Sequence, residues 1–392
     1  MPQDSLPLSG LTVIEFTHMV MGPSMGLILA DLGADVIRIE PPEGDPTRRL
    51  VGSGAGYFPM FNRNKRSICL DLKRPEGVAL ARRLVARADI LIENFKPGTL
   101  TRLGLGHDAM RAANPRLIYC AAKGFLSGPY QERTALDEVA QMMGGLAYMT
   151  GPPGQPLRAG ASVIDIAGGM FGVVAILALL ERRHRTGRGG LATCALFETT
   201  AFLVGQHMAQ MAVTGEAARP MPVRRPAWAI YDVFETRLAD EPLFVAVVSD
   251  AQWRAFCAVF GPHTLGADPT LASNTQRVAA RETLLPEIRA LFRTWHRAAL
   301  IETLERIGLP FAPIARPEDL FEDAHLNAAG GLLEVALPGG TTTRLPALPV
   351  EIDGSRLGLR RDVPAAGRDG ADILRDLGLS ESEIAGLGSV GA

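Results

Sequence analysis

The chain has 392 residues, of which 47% are hydrophobic and 21% charged, and its formal net charge at pH 7 is -2. This composition is typical of a soluble globular protein with two domains, or with one large domain that carries an insertion. A net charge near zero gives no general reason to bind nucleic acid or an anionic membrane, so any anion site must be local.

Cysteine spacing and the N-terminus bear on the compartment. The four cysteines lie far apart, with no CxxC pair and no histidine at metal-ligand spacing, so we predict reduced thiols, a cytoplasmic protein and no metal site. The segment MPQDSLPLSG has neither a basic n-region nor an apolar h-region, and the longest apolar run, residues 171–180, is too short to cross a bilayer. We therefore expect no export signal and no membrane span.

The first 40 residues predict a strand, a turn, a helix and a second strand. LTVIEF and DVIRIE are typical of buried strands, and LILADLG of a helix that ends at Gly33. Such units build parallel sheets that bind ligands beyond the carboxyl ends of their strands, here around Thr17, His18 and Met19. Glu40 ends the second strand, as in nicotinamide-binding folds, but the turn HMVMGPSMG lacks the GxGxxG motif, which argues against a dehydrogenase.

Basic residues gather around the next strand, in FNRNKRSICLDLKRPEG. Arg63, Lys65, Arg66, Lys73 and Arg74 form either a solvated basic face or an anion site, for which phosphates are the natural ligands. Two further strands, DILIENF and RLIYCAAKG, alternate with helix patterns and continue the parallel sheet.

Asp165 stands at the entrance of a long helix in the centre of the chain. Val163 and Ile164 indicate a short extended run, and small residues including Gly168 and Gly169 follow Asp165. Free amides and the helix dipole there would favour the ionised carboxylate, and the two glycines would let a ligand approach closely. An ionised Asp165 can be a nucleophile or only a helix cap, and Asp137, which opens an earlier helix, can also be only a cap. The apolar face predicted for the long helix consists of Met170, Val173, Val174, Leu177 and Leu180.

Prolines divide the rest of the chain. LATCALFETTAFLVGQHMAQMAV predicts a strand and a helix, and Pro220, Pro222 and Pro226 then mark a linker to a smaller mixed domain. A last helix carries a capping-box signature at Ser380 and Glu383. The predicted division is a large domain from residues 1–220, a small domain with its linkers at 221–325, and a return to the large domain at 326–392.

The chain as a whole resembles the family III CoA-transferases, which include formyl-CoA transferase, carnitine CoA-transferase and the 2-methylacyl-CoA racemases. The resemblance rests on the order and spacing of the segments LSGLTVIEFTHMVMGP, LADLGADVIRIEPPEGDPTR, FNRNKRSICLDLKRPEG, ADILIENFKPGTLTRLGLG, NPRLIYCAAKGF, SVIDIAGGMFG, ERRHRTGRGG and DLGLSESEIAGL. It implies an α/β fold with a Rossmann-like large domain built from both chain ends, a smaller inserted α+β domain, and an interlocked homodimer.

The resemblance also implies a reaction in which CoA is a substrate and no cofactor is bound permanently. The family nucleophile falls on Asp165, which attacks an acyl-CoA thioester to give a mixed anhydride and then an aspartyl-CoA thioester. An incoming carboxylic acid reverses these steps, so the implied partners are an acyl-CoA and a small acid, with no nucleic acid and no membrane. Asp137 takes the place of a supporting acidic residue. The family's CoA contacts carry over onto His18, Met19, Leu70, Lys73, Arg102 and Lys123.

The resemblance gives less information about the substrate than about the reaction. RTALDEVAQMMGGLAYMTGPPGQPLRAG is similar to members that handle C4 and C5 dicarboxylates such as succinate, itaconate, mesaconate or citramalate. Val20 replaces a glutamine of formyl-CoA transferase, which disfavours formyl or oxalyl substrates. Arg158 can pair with a distal carboxylate or cap a loop. Leu136 replaces the histidine of the racemases, so a two-base racemase is disfavoured and an intramolecular CoA-transferring isomerase remains the alternative.

Overall fold

The computed structural model describes residues 6–224, 226–261 and 263–387. The chain divides into two compact units. The larger contains the chain up to Val223 and again from Ala324, and the smaller is Arg224–Asp323. Both ends of the described chain therefore belong to the larger unit.

A six-stranded parallel sheet forms the centre of the larger unit, in the order β3-β2-β1-β4-β5-β6. Its strands are β1 (Thr12–Phe16), β2 (Asp35–Glu40), β3 (Lys65–Cys69), β4 (Ile90–Glu93), β5 (Ile118–Lys123) and β6 (Gly190–Ala195). The predicted α/β fold with a parallel central sheet is confirmed. The strand order reverses between β1 and β4, which is where doubly wound sheets bind ligands, beyond the carboxyl ends of the strands.

Helices cover both faces of this sheet. Apolar side chains of α1 and α8 pack on one face, and those of α3, α5 and the C-terminal helix α16 (Gly370–Asp376) on the other. The helices before the smaller unit are α1 (Met21–Asp31), α2 (Tyr57–Phe61), α3 (Pro75–Arg87), α4 (Thr99–Arg102), α5 (His107–Ala113), α6 (Asp137–Met143), α7 (Leu146–Thr150), α8 (Val163–Thr186) and α9 (Leu196–Thr214). Short 3-10 turns lie at Pro46–Arg49, Gly52–Gly54 and Met221–Val223.

The smaller unit packs helices on a three-stranded antiparallel sheet of order β7-β8-β9. Phe234, Phe256 and Phe292 form the centre of its core, with edge-to-face ring contacts. Its elements are β7 (Tyr231–Phe234), β8 (Leu243–Ala246), β9 (Phe311–Pro313), α10 (Asp250–Phe260), α11 (His263–Ala267), α12 (Asn274–Ala279), α13 (Arg281–Phe292) and α14 (Arg297–Arg306), with 3-10 turns at Pro269–Leu271 and Pro317–Glu322.

The C-terminal segment closes the larger unit along the edge strand β3. The Ser67 amide donates to the Asp369 carboxylate at 2.9 Å, and the Asp369 amide donates to the Ser67 carbonyl at 3.0 Å. The predicted capping box is confirmed, since the Ser380 amide donates to Glu383 at 2.7 Å and the Glu383 amide donates to Ser380 Oγ at 3.3 Å. This segment contains α15 (Ala324–Ala328), β10 (Leu332–Ala336), β11 (Thr342–Pro346), β12 (Glu351–Ile352), β13 (Ser355–Arg356), α16 (Gly370–Asp376) and α17 (Glu381–Leu387).

Helix α8 differs from its prediction in three ways. Val163 and Ile164 are its first helical residues, so the predicted extended run before Asp165 is wrong. The predicted apolar face is divided, because Val173 is buried while Met170 and Val174 are 55% and 62% exposed. The helix is also long and apolar enough by length and composition to cross a membrane, with a mean hydropathy of 2.4. One such helix is weak evidence of a membrane span, and the buried side chains of α8 pack on the sheet of the larger unit.

Three glycines on α8 contact α1 and not a ligand, which corrects the role predicted for Gly168 and Gly169. A Cβ atom at Gly169 would lie 2.2 Å from Ser24 Oγ and 2.9 Å from the Met21 carbonyl oxygen. Gly168 and Gly172 are equally close to α1 methionines. The absence of a side chain therefore brings α1 and α8 together, which fixes the start of α8 relative to the end of β1.

Replacing Gly169 with alanine is expected to destabilise the protein by about 1–3 kcal/mol, because a methyl group in this contact must push the two helices apart. The measurement is the denaturation midpoint in urea. Gly386→Ala is the matched control, since Gly386 lies in α17, where an added Cβ atom would meet no described atom within 4 Å. Equal midpoints for Gly169→Ala and the native protein would contradict this packing.

Candidate active site

Two adjoining cavities lie at the carboxyl edge of the sheet. The first, of about 530 Å³, lies beyond β1, β2 and β3, and its lining includes Leu70 and Lys73. The second, the Asp165 cavity, has about 550 Å³ and lies beyond β1, β4 and β5. His18 and Met19 line both. The Asp165 cavity also contains the other four predicted site residues, which are Arg102, Lys123, Asp137 and Asp165.

The wall between the cavities is built at the switch point between β1 and β4. Asn94, just after β4, accepts a hydrogen bond from the His18 amide at 3.0 Å and donates one to the His18 carbonyl at 2.8 Å. The His18 ring stacks on Phe95 with 5.8 Å between ring centroids. These contacts fix both the backbone and the ring of His18 between the cavities.

Met19 has a left-handed backbone conformation with a φ of 63°. Such a conformation is unfavourable for a side chain with a Cβ and persists where neighbouring contacts hold it. The Met19 amide donates to Thr47 Oγ1 at 3.1 Å, and the Thr47 amide donates to Asp45 at 2.7 Å. Buried Arg38 bonds both Asp45 and the Thr17 carbonyl. A chain of contacts from the sheet core therefore holds the Met19 turn.

Glu40 is not available for a ribose. Arg48 donates to both of its carboxylate oxygens, at 2.7 and 2.5 Å, and Ser67 and the Asp45 amide donate as well. Burial alone would raise the pKa of Glu40, but these bonds and the charges of Arg48 and Arg38 outweigh it and lower the pKa to about 2. The carboxylate therefore has a structural role, in agreement with the missing GxGxxG motif.

The predicted basic cluster is not one anion site. Arg63 and Lys65 are buried and paired with Asp31 and Glu15, at 2.6 and 2.9 Å. Burial lowers the pKa of Lys65 to about 8, although the charge of Glu15 opposes this effect. Arg66 pairs with two aspartates on the outside of the unit. Of the five, Lys73 is exposed and lines a cavity, so a phosphate interpretation is retained for Lys73 alone.

Lys123 and Arg102, which are also predicted CoA contacts, line the Asp165 cavity and differ in how far their charges are paired. Lys123 is paired with Glu93 at 2.5 Å and donates to the Phe95 carbonyl at 2.8 Å, so its charge is largely compensated. Arg102 is exposed and donates to Thr99 at 3.2 Å. Arg102 is therefore the freer of these two cations to meet an anionic ligand.

Asp137 and Asp165 are joined through the first turn of α8. One Asp137 oxygen accepts hydrogen bonds from the Ile164 and Asp165 amides, at 2.9 and 3.1 Å. The other accepts from Gln141 at 2.6 Å and from Arg158 at 3.1 Å. Asp137, which lies in α6, therefore satisfies two free amides at the N-terminus of α8, as a capping side chain does. Among the described residues, no group donates to the Asp165 side chain, which faces the cavity.

This arrangement raises the pKa of Asp165 to about 7, mainly by burial and further by the Asp137 charge, with Arg158 acting in the opposite direction. The prediction that the helix N-terminus favours the ionised form is therefore wrong, because burial and the Asp137 charge outweigh that effect. Asp137 also accepts hydrogen bonds from two amides of the first turn. A carboxylate with this pKa is more basic than usual and is largely ionised above neutral pH. It is suited to attack an electrophilic carbonyl carbon.

Sequence reasoning missed the residues that hold the site together. Three side chains bond backbone groups of the turn after β1. Asn94 bonds the His18 amide, Thr47 the Met19 amide, and Arg38 the Thr17 carbonyl. Asn94 was detectable, because it directly follows β4 at the edge of the sheet where His18 follows β1. Arg38 was not detectable, because a charged residue between two isoleucines in DVIRIE is typical of an exposed strand position. The pattern does not show that Arg38 has buried partners.

Comparison with known proteins identifies the class. A model of CoA-transferase family III matches residues 8–370, and the chain belongs to this family of enzymes. A succinate–glutarate CoA-transferase of Agrobacterium fabrum is 36% identical over 391 residues, which cover 96% of this chain and 97% of that protein. A succinyl-CoA:mesaconate CoA-transferase of Haloarcula hispanica is 33% identical across 92% of each chain. The crystal structure of a CAIB/BAIF family protein from Brucella suis superposes with a TM-score of 0.82 at 36% identity, covering 95% of this chain and 99% of that one. The predicted family is confirmed.

Proposed function

We propose that this enzyme moves CoA between an acyl-CoA and a small dicarboxylic acid, with Asp165 as the nucleophile. The observation that carries the proposal is the Asp165 carboxylate itself, which has no donor among the described residues and faces a cavity that adjoins a second one. The names of the relatives, succinate–glutarate and succinyl-CoA:mesaconate CoA-transferase, support dicarboxylates of four or five carbons.

The first half of the reaction forms two covalent intermediates. A carboxylate oxygen of Asp165 attacks the thioester carbonyl carbon, the C–S bond breaks, and CoA leaves as a thiolate. The product is a mixed anhydride between Asp165 and the acyl group. The thiolate then attacks the Asp165 carbonyl carbon and releases the donor acid as its carboxylate, which leaves an aspartyl-CoA thioester.

The second half reverses these steps with another acid. The acceptor carboxylate attacks the aspartyl-CoA thioester, and CoA thiolate leaves as a second mixed anhydride forms. The thiolate then attacks the acceptor carbonyl carbon, which yields the new acyl-CoA and the free Asp165 carboxylate. Each step exchanges one acyl derivative for another, so no ATP is required. Water must be excluded because it would hydrolyse either intermediate.

The two cavities suggest where the parts of CoA lie. The thioester belongs beside Asp165, and the arm passes His18 and Met19 at the shared wall. The nucleotide then reaches the first cavity, with Leu70 against the base and Lys73 near a phosphate. Arg102 and Lys123 contact CoA from the Asp165 cavity.

The test of this function is an exchange assay with succinyl-CoA as donor and glutarate or mesaconate as acceptor. We expect the acceptor acyl-CoA and free succinate in equal amounts, with the total thioester unchanged. Release of free CoA alone, or no product with any dicarboxylate, would overturn the proposal. Parallel reactions without acceptor use mesaconyl-CoA, whose two carboxyl groups differ, in deuterated water. A shifted CoA position would indicate the isomerase, and deuterium at the α-carbon of a saturated acyl-CoA donor would indicate the racemase.

We also propose that the enzyme is a homodimer, with its subunits interlocked. Helices α8 and α9 expose a shared apolar surface, on which Phe171 and Phe202 pack with 5.3 Å between ring centroids and Phe202 is 71% exposed. Exposed apolar surface of this extent marks protein contacts. Native mass spectrometry that gives twice the chain mass of 41.9 kDa supports the dimer, and a monomer across the working concentration range refutes it.

A cytoplasmic location is proposed from the thiols. All four cysteines, Cys69, Cys120, Cys194 and Cys257, are free and buried. Reduced thiols are the rule in the cytoplasm and the exception in exported proteins. Fluorescence of a C-terminal fusion confined to the soluble cytoplasmic fraction would support this location, and recovery from membranes or an exported fraction would refute it.

A further inference from the structure

We propose that Arg158 determines the preference for dicarboxylic acyl groups, by pairing with the distal carboxylate of the acyl chain bound at Asp165. The inference rests on the proposed function and assigns the specificity of that site to one side chain.

Arg158 is held in place on one nitrogen and open on another. Its Nη2 donates to Asp137 at 3.1 Å and to the Ala161 carbonyl at 3.3 Å. In the part of the chain that the structure describes, Nη1 has no hydrogen-bond partner, and Nε is buried without one. The side chain is 30% exposed and lines the Asp165 cavity. A guanidinium that is fixed through one nitrogen, has another nitrogen without a partner and lines a cavity is prepared to bind a carboxylate.

Arg158 is also linked to the backbone of Asp165 through one residue. Asp137 bridges the two residues, since one of its oxygens bonds Arg158 and the other bonds the Asp165 amide, each at 3.1 Å. These contacts and the two C–O bonds of the bridge limit the separation of Arg158 Nη2 and the Asp165 nitrogen to roughly 9 Å. A four- or five-carbon dicarboxylate joined to Asp165 at one end would carry its other carboxylate within the same cavity, which Arg158 also lines.

The other lysines and arginines of the cavity are Lys96, which is exposed, and three residues that already have partners. Lys123 is paired with Glu93, and Arg133 stacks on the exposed ring of Tyr130. Arg102 is tied to Thr99 after β4. Of the basic groups described in this cavity, Arg158 is the one whose charge acts on Asp165 itself. A substrate carboxylate bound at Arg158 brings a second negative charge close to ionised Asp165. The positive charge of Arg158 offsets the repulsion between these two carboxylates.

The test compares donors that differ only in the distal group. The native enzyme and the variants Arg158→Gln and Arg158→Lys are incubated with succinyl-CoA or with butyryl-CoA, and the rate of hydroxylamine trapping on Asp165 is measured. For Arg158→Gln we expect the preference for succinyl-CoA over butyryl-CoA to fall by about 10- to 100-fold, mainly through KM. The butyryl-CoA rate should fall by less, through the loss of the Arg158 contact with Asp137. Arg158→Lys keeps the charge and should retain part of the preference.

The matched control is Arg185→Gln, which removes an exposed arginine from the last turn of α8 and should leave the preference unchanged. Equal losses for both donors would overturn the proposal, because they would assign Arg158 only to holding Asp137. An unchanged preference would overturn it as well. If the native enzyme traps neither donor, the proposed function itself fails, an outcome distinct from the other two.

Discussion

Replacing Asp165 with asparagine is expected to reduce CoA exchange by at least about 10⁴-fold, because the amide cannot form the anhydride or the thioester. Binding of CoA should change by no more than a few-fold, since the predicted CoA contacts lie along the two cavities and not on Asp165. Isothermal titration with CoA and the exchange assay together separate these two effects. Robust exchange by Asp165→Asn would refute the nucleophile.

The same variant provides its own folding control. The pKa of Asp165 is raised from 3.8 to about 7 in the folded chain. The folded state therefore favours the protonated acid, and ionisation of Asp165 costs stability that accumulates between about pH 4 and pH 7. Asparagine is neutral at every pH, so Asp165→Asn should unfold at the same temperature as the native protein near pH 4 and at a higher one at pH 8. A lower midpoint at pH 8 would contradict the raised pKa.

Replacing Asp137 with alanine is expected to lower kcat/KM by about 10²-fold or more, because it removes the acceptor of four hydrogen bonds at the start of α8. The Ile164 and Asp165 amides lose their partner, and Arg158 loses its fixed position. The expected result is misplacement of the nucleophile without loss of the nucleophile itself. Steady-state kinetics with trapping at Asp165 measures this effect.

Asp137→Asn removes the charge of Asp137 and keeps one of its two accepting oxygens. The charge of Asp137 contributes to the raised pKa of Asp165, so removing that charge should move the acid limb of the kcat/KM profile below its native position near pH 7. Glu138→Gln removes a neighbouring charge that makes no contact with the α8 amides and should leave the limb in place. A limb that moves upward in Asp137→Asn would contradict this electrostatic account.

Local pattern was sufficient to place several candidate site residues. Strands that alternate with helices predict a parallel sheet, and residues that follow β1 must then lie at its carboxyl edge, where His18 and Met19 are found. Local pattern marked Asp165 only as a nucleophile or a helix cap, and the family resemblance implied the nucleophile. Inferences from local pattern need only a few neighbouring residues, which is why they did not require the tertiary structure.

The electrostatics of the site depended on residues distant in sequence. Two amides at the start of α8 donate hydrogen bonds to Asp137, which lies 28 residues before Asp165. Arg63 and Lys65 resemble a surface patch until their buried partners, 32 and 50 residues away, are known. The glycines of α8 face α1 and not the ligand, which no helical periodicity reveals. Such features depend on which helices and strands pack together, and local sequence patterns do not reveal that packing.

The most direct test of the central claim is intact-mass analysis after incubation with succinyl-CoA, with and without hydroxylamine, followed by peptide mapping. We predict a CoA adduct on the protein that hydroxylamine converts into a hydroxamate on Asp165. Unmodified protein across a panel of acyl-CoA donors, or a hydroxamate on another residue, would contradict the assignment of Asp165 as the nucleophile.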